Sequence, residues 1–103
     1  MHFIKTIYIA HPYGNKPENK AEIENIIFKL QKKYPHYLFI SPVHAFDFMY
    51  TKYCYEYGIV YCIGLMRLCD EVWAFGDIGT SRGMQTEEIA ADELEIDWVD
   101  GES

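Results

Sequence analysis

Three short segments combine turn formers with side chains able to hold or attack a small polar ligand: His11-Pro12-Tyr13-Gly14-Asn15, Ser41-Pro42-Val43-His44, and Gly76-Asp77-Ile78-Gly79-Thr80-Ser81-Arg82-Gly83. The third says most. Its glycines, with Thr80 and Ser81, run straight into a helical pattern. Backbone N–H groups at a helix N-terminus, helped by small hydroxyl residues, form an anion site that suits a phosphate or a carboxylate. No Gly-Lys-Ser/Thr is present, so this is not a Walker A loop, and the first strand is followed by Gly14 alone, which excludes a dinucleotide fingerprint. The same residues also read as a plain turn, with Ser81 capping the helix and the glycines shaping the backbone.

Glu87 adds chemistry to that loop. On a helical wheel from Met84, the apolar Met84, Ala90, Ala91 and Leu94 fill one arc with Glu87 in its middle, while Glu88, Asp92 and Glu95 cluster on an adjacent, wet side. A carboxylate on a core-facing stripe is costly unless it is paired or used. It is therefore a candidate nucleophile or general base. The alternative is a structural glutamate hydrogen-bonded to the loop or to a tyrosine. Asp77 directly follows a strand pattern and belongs to the same edge. Asp70 precedes that strand and falls at the opposite end, where a helix-ending or turn role suits it better.

The elements that must position these residues follow from hydrophobic periodicity. Residues 3–10 form a strand, nearly continuous in apolar side chains like a buried parallel strand. Ile23, Ile26, Ile27 and Leu30 make one helical stripe, with Pro17 in the first turn, acids early, lysines late and Tyr34-Pro35 as the stop. Residues 37–40 form a second strand. Residues 43–53 fit a short helix or an ordered loop. A helix over 55–69, a strand over 71–75, the loop 76–83, a helix over 84–95 and a short strand over 96–99 complete the order. Strands alternating with helices predict an α/β fold in a single domain over 1–103: a small doubly wound (flavodoxin-like or Rossmann-like) three-layer domain with a four- to five-stranded, mostly parallel sheet. Ligands of such sheets bind outside the carboxyl ends of the strands, where the three polar segments fall.

Composition narrows the partners. The net charge of −7 argues against a nucleic-acid polymer, whose phosphates need clustered cations, but leaves a small nucleotide possible. No apolar run is long enough to span a bilayer, and the N-terminus reads as a strand rather than a secretion signal. Cys54, Cys62 and Cys69 lack a zinc spacing and read as buried thiols, with a cytoplasmic setting expected. His11 and His44 find no second pair of ligands at useful spacing, so no metal is expected and polar site lining or turn roles are. No cofactor is signalled. Phe46, Phe48, Tyr50, Tyr53, Tyr55, Tyr57 and Tyr61 crowd one stretch. They line a base-stacking pocket or form an interface, and a homo-oligomer (dimer or tetramer) is expected.

Tyr8-Ile9-Ala10-His11-Pro12-Tyr13 resembles the opening "Y-I-A-G-P-Y/F" of nucleoside 2-deoxyribosyltransferases and their small bacterial and phage relatives, with His11 standing where glycine is usual. Cys69-Asp70-Glu71-Val72-Trp73-Ala74-Phe75-Gly76-Asp77 resembles their "C/A-D-x-V/L-W-V-F-G-D", and Ser81-Arg82-Gly83-Met84-Gln85-Thr86-Glu87 their "S-x-G-M-x-x-E". Order and spacing agree over nearly the whole chain. The resemblance implies an enzyme acting on the N-glycosidic bond of a (deoxy)nucleoside or its 5′-phosphate, with Glu87 as nucleophile in the manner of a retaining glycosidase. It implies Asp77 beside the sugar or base, Tyr8 or Tyr13 on the ligand, and Asp47 near the sugar hydroxyls. It implies that Ser81 and Gly83, with Gly79, Arg82 and Met84 around them, hold the 5′ end, and that Pro12, His11 and His44 line the site. A binding module with the same pocket and no turnover is the alternative.

Overall fold

The computed structural model describes residues 2–52 and 55–101, the side chains at 50–52 and 55–57 excepted. The elements are β1 (Lys5–Ala10), α1 (Pro17–Lys33), β2 (Tyr37–Ile40), α2 (Pro42–Lys52), α3 (Tyr55–Met66), β3 (Glu71–Ala74), a 3-10 turn (Ile78–Thr80), α4 (Arg82–Glu93) and β4 (Asp97–Asp100). The four strands form one sheet in the order β2-β1-β3-β4, and every neighbouring pair is parallel. Four strands are thus present among the described residues, the lower of the numbers expected, and the α/β doubly wound class stands.

β1 shows why the domain has three layers. It lies inside the sheet, with Ile7, Tyr8, Ile9 and Ala10 all fully buried. Its side chains alternate between faces. Ile7 and Ile9 pack with Ile23 and Ile26 of α1, and with Phe39, Val43 and Phe75. Tyr8 and Ala10 pack with Ile59, Cys62 and Met66 of α3 and with Met84, Ala90 and Ala91 of α4. A parallel connection must cross over one face, and crossovers are right-handed. The chain therefore covers one face while moving from β1 to β2, and the other while moving from β3 to β4. Between β1 and β3 the winding direction reverses, and a cleft opens there at the carboxyl ends.

Several element ends differ from the periodicity, each for a local reason. The ambiguous stretch after β2 is a helix, with Pro42 in its first turn and Ser41 Oγ accepting the amide of His44 at 3.2 Å. A Ser-Pro that ends a strand and also starts a helix hides the second role behind the first. α3 stops at Met66, three residues short of its apolar pattern, because Leu68 N–H donates to Leu65 O and Cys69 N–H to Met66 O in i→i+3 bonds that tighten the turn. The glycine loop is shorter than expected. Arg82 and Gly83 already belong to the first turn of α4, and residues 78–80 coil into their own 3-10 turn. α4 ends in a Schellman arrangement, with Glu95 at φ 58°, its N–H donating to Asp92 O and that of Ile96 to Ala91 O.

Asp70 takes the structural role. Its Oδ2 accepts the amide of Thr6 at 2.7 Å and its own N–H donates to Thr6 O at 2.8 Å, clamping the amino ends of β1 and β3 together. Cys62 and Cys69 are buried free thiols, and burial pushes Cys69 up to about 11. Cys54 and Tyr53 lie outside the described residues, as do the side chains of Tyr50, Tyr55 and Tyr57. Of the remaining aromatics in that stretch, Phe48 and Tyr61 are exposed, and Phe46 packs against Tyr61 with ring centroids 5.7 Å apart. Among the described residues no helix is long and apolar enough to cross a membrane.

Candidate functional site

The cleft at the winding reversal has a volume of about 760 Å³. That size suits a drug- or nucleotide-sized ligand. Its floor comes from the turns after the two central strands. β1 runs into His11-Pro12-Tyr13-Gly14-Asn15, where Gly14 (φ 57°) and Asn15 (φ 58°) are both left-handed. β3 runs into Phe75-Gly76-Asp77, where Gly76 (φ 84°) lets the second turn pass the first: a Cβ there would lie 2.7 Å from Pro12 Cδ. At Gly76 the positive φ together with this close approach requires glycine.

One wall is the start of α4. Asp77 accepts the amide of Gly79 at 2.9 Å and caps the 3-10 turn, and Thr80 Oγ1 donates to Asp77 O at 2.8 Å. Ser81 is the N-cap of α4, its Oγ accepting the amide of Met84 at 3.2 Å. Gln85 Nε2 reaches back to Ile78 O at 3.2 Å. The loop is thus stitched to itself before any ligand arrives. Asp77, Thr80, Ser81, Arg82, Gly83 and Met84 all line the cleft.

Glu87 lies one turn further along α4, in contact with both cleft and core. It is buried, 6 % exposed, among the residues that line the cleft. The hydroxyl of Tyr8 donates to its carboxylate. Burial pushes the Glu87 carboxyl up to about 7, against the opposing pull of the Tyr8 hydrogen bond. Its ionisation is thereby moved from the ordinary carboxylate range toward neutral pH, where a carboxylate can attack or exchange a proton.

The facing wall is α1, which sequence reasoning read only as a dipole-matched helix. Glu18, Asn19 and Glu22 line the cleft from its first turns. The signal was available, because a helix that directly follows β1 must begin at the sheet edge where β1 ends. Asn19 Nδ2 donates to Tyr13 O at 2.9 Å, fixing the first turn against this wall. His11 is 6 % exposed at the bottom. Its Nδ1 lies 2.7 Å from Pro12 O, and its Nε2 lies 3.2 Å from Glu22 Oε2 without forming a hydrogen bond. Ile59 and Cys62 of α3 supply an apolar patch.

The structure brings together His11, Pro12, Tyr13, Asp77, Ser81, Arg82, Gly83, Met84 and Glu87, with Tyr8 joined through its bond to Glu87. Besides Tyr8, three expected residues stand outside the lining. His44 has both ring nitrogens engaged, Nδ1 with Ser41 Oγ and Nε2 with Glu24 Oε2, each at 2.7 Å. Asp47 is held by Lys20 Nζ at 2.6 Å, and that ammonium keeps its carboxyl below the usual range. Gly79 lies in the 3-10 turn behind Asp77. Among the described residues no group of three or more His, Cys, Asp or Glu could hold a metal ion. Set against models of known protein families and against curated proteins, the sequence matches none.

Proposed function

We propose that this protein cleaves the N-glycosidic bond of a (deoxy)nucleoside or its 5′-phosphate, with Glu87 as the nucleophile. The observation that carries the reading is the Glu87 carboxyl, buried at the cleft wall, hydrogen-bonded by Tyr8 and shifted to about 7. In its ionised form Glu87 attacks C1′ of the sugar as the bond to the base breaks, giving a glycosyl ester and a base that leaves with the bonding electron pair and takes up a proton from water. Asp77, which lines the cleft, is the residue assigned to the departing base. Water or a second base then attacks C1′ and returns the carboxylate. Arg82 and the first turn of α4 suit the 5′ end, because a helix N-terminus favours an anion.

Incubation with each deoxynucleoside and its 5′-monophosphate, with chromatography for free base, tests this. Release that disappears in Glu87→Ala supports the reading, and no release from any of them sinks it. The Tyr8 bond also favours a second reading, binding without turnover, in which Glu87 is a fixed polar anchor. Tight retention of an intact nucleotide with no base released selects it. The buried free thiols Cys62 and Cys69 suit a reducing, cytoplasmic setting. The exposed Phe48, Val60, Tyr61 and Leu68 suit a homo-oligomer.

A further inference from the structure

The outer side of α3 and of the turn that ends it is apolar and open. Val60, Tyr61 and Leu68 are 65 %, 49 % and 77 % exposed. With Gly64, Leu65 and Phe46 of α2 they line a groove of about 420 Å³ that shares no residue with the cleft. The ring of Phe46 leans on Tyr61 along it. Gly64 stands midway in sequence between Val60 and Leu68, and a Cβ there would meet nothing within 4 Å. A second backbone can therefore come close at that point. The exposed Ile89 of α4 is set differently, with Glu88 beside it and Asp92 and Glu93 on the following turn of the same helix.

Charge and area point to the occupant. The chain carries a net charge of −7, so two copies repel wherever acids face each other. From Ile59 to Leu68 the sequence holds no acid and one charge, Arg67. Two copies meet there without an acid-to-acid contact, while an anionic membrane surface repels the chain as a whole. The exposures leave roughly 400 Å² of apolar surface open, the level at which a patch marks an interaction site. A standard interface takes about 800 Å² from each partner, a little over half of it apolar. The spacing then sets the symmetry. Val60 and Leu68 lie four residues either side of Gly64, and Tyr61 and Arg67 three either side. A two-fold axis at Gly64, with α3 antiparallel to its mate, sets each Val60 against Leu68 of the partner subunit and each Tyr61 against Arg67 of the partner subunit, a cation–π pair. The patch is complementary to itself.

We propose that the outer side of α3 is a homodimer interface, in which two copies pack antiparallel about a two-fold axis at Gly64. The proposal is independent of what the cleft binds, and it gives the homo-oligomer a surface and a symmetry.

The test is sedimentation velocity of the full chain at micromolar concentration, with circular dichroism to check the fold of each variant. The wild type runs at twice the mass of one chain. Leu68→Glu presses two carboxylates per dimer against apolar surface, raises the dimer Kd roughly a hundredfold and gives a monomer. Gly64→Gln, which favours the helix but fills the point of closest approach, does the same. Ile89→Glu leaves the dimer intact. Val60→Lys alone is monomeric, but mixed in equal amounts with Leu68→Glu it restores the dimer mass, because one new ion pair and one native Val60–Leu68 contact form together. A monomeric wild type overturns the proposal, as does a dimer that Leu68→Glu and Gly64→Gln leave unchanged. A mixture that stays monomeric overturns the antiparallel pairing. A monomer that instead floats with phosphatidylcholine vesicles gives the patch to a lipid surface and overturns the proposal as well.

Discussion

The hydroxyl of Tyr8, in the middle of β1, donates to the carboxylate of Glu87 on α4, 79 residues later in the chain. Tyr8 is fully buried and pairs in register with Ile40 on one side and Val72 on the other. Its ring direction is therefore fixed by the sheet, and the sheet in turn fixes Glu87. The bond favours the ionised carboxylate while burial opposes it, and burial dominates.

Tyr8→Phe removes the one contact that pulls the Glu87 carboxyl down, so its pKa rises further. If ionised Glu87 attacks the sugar, the acid limb of the pH–rate profile moves to higher pH. Base release then falls at pH 7 and recovers in alkaline buffer. An unmoved profile removes Tyr8 from the proposed mechanism.

Glu87→Gln separates the cost of the carboxylate from its use. The folded-state value of about 7 lies above the ordinary 4.5. Below the ordinary value both folded and unfolded states hold the proton, and burial carries no ionisation penalty. As pH rises through the folded value the native state must ionise a buried group, and stability is lost, roughly 3 kcal/mol in all. The wild type therefore weakens between about pH 5 and pH 8 relative to Glu87→Gln, as read by urea denaturation at each pH. A stability difference independent of pH contradicts this.

Gly76→Ala forces a Cβ toward Pro12 Cδ, which it would approach to 2.7 Å, at a backbone φ of 84°. A cost of about 1–3 kcal/mol is expected, with weaker ligand binding because both turns of the cleft floor move. Chemical denaturation and a nucleotide titration read the two effects. A variant as stable as the wild type shows that the turns can separate freely.

Asp70→Ala and Asp77→Ala distinguish the two ends of the sheet. Asp70 holds the Thr6 amide at the amino edge, so its loss costs about 1 kcal/mol or more while leaving binding intact. Asp77 borders the cleft, and its loss weakens base release more than it weakens the fold. Reversal of these two patterns, in melting temperature and in product formation, contradicts the assignment of the edges.

The strand and helix pattern put Asp77 and the two turns at one sheet edge and Glu87 on the apolar stripe of the helix that follows; in the structure Glu87 is buried, and it lines the cleft with Asp77 and residues of both turns. His44 and Asp47 fared differently. Both are polar and near that edge in sequence, yet Ser41 with Glu24 holds one and Lys20 the other. Partners twenty or more residues away, such as Glu24 and Lys20, have no signature in local spacing. Glu22 shows the converse. It reads as one surface acid among several until the position of α1 over the cleft gives it a neighbour in His11.

Periodicity alone determined the alternation of strands and helices, the parallel class of sheet and the apolar stripe that carries Glu87. These depend on residues one to four positions apart, whose relative directions are set by backbone geometry. Only the tertiary structure decided that β1 and β3 lie side by side, that Gly76 passes against Pro12, and that Tyr8 meets Glu87. Those contacts join residues more than sixty positions apart. They depend on how the two crossovers pack on opposite faces of one sheet, and no local pattern encodes that choice.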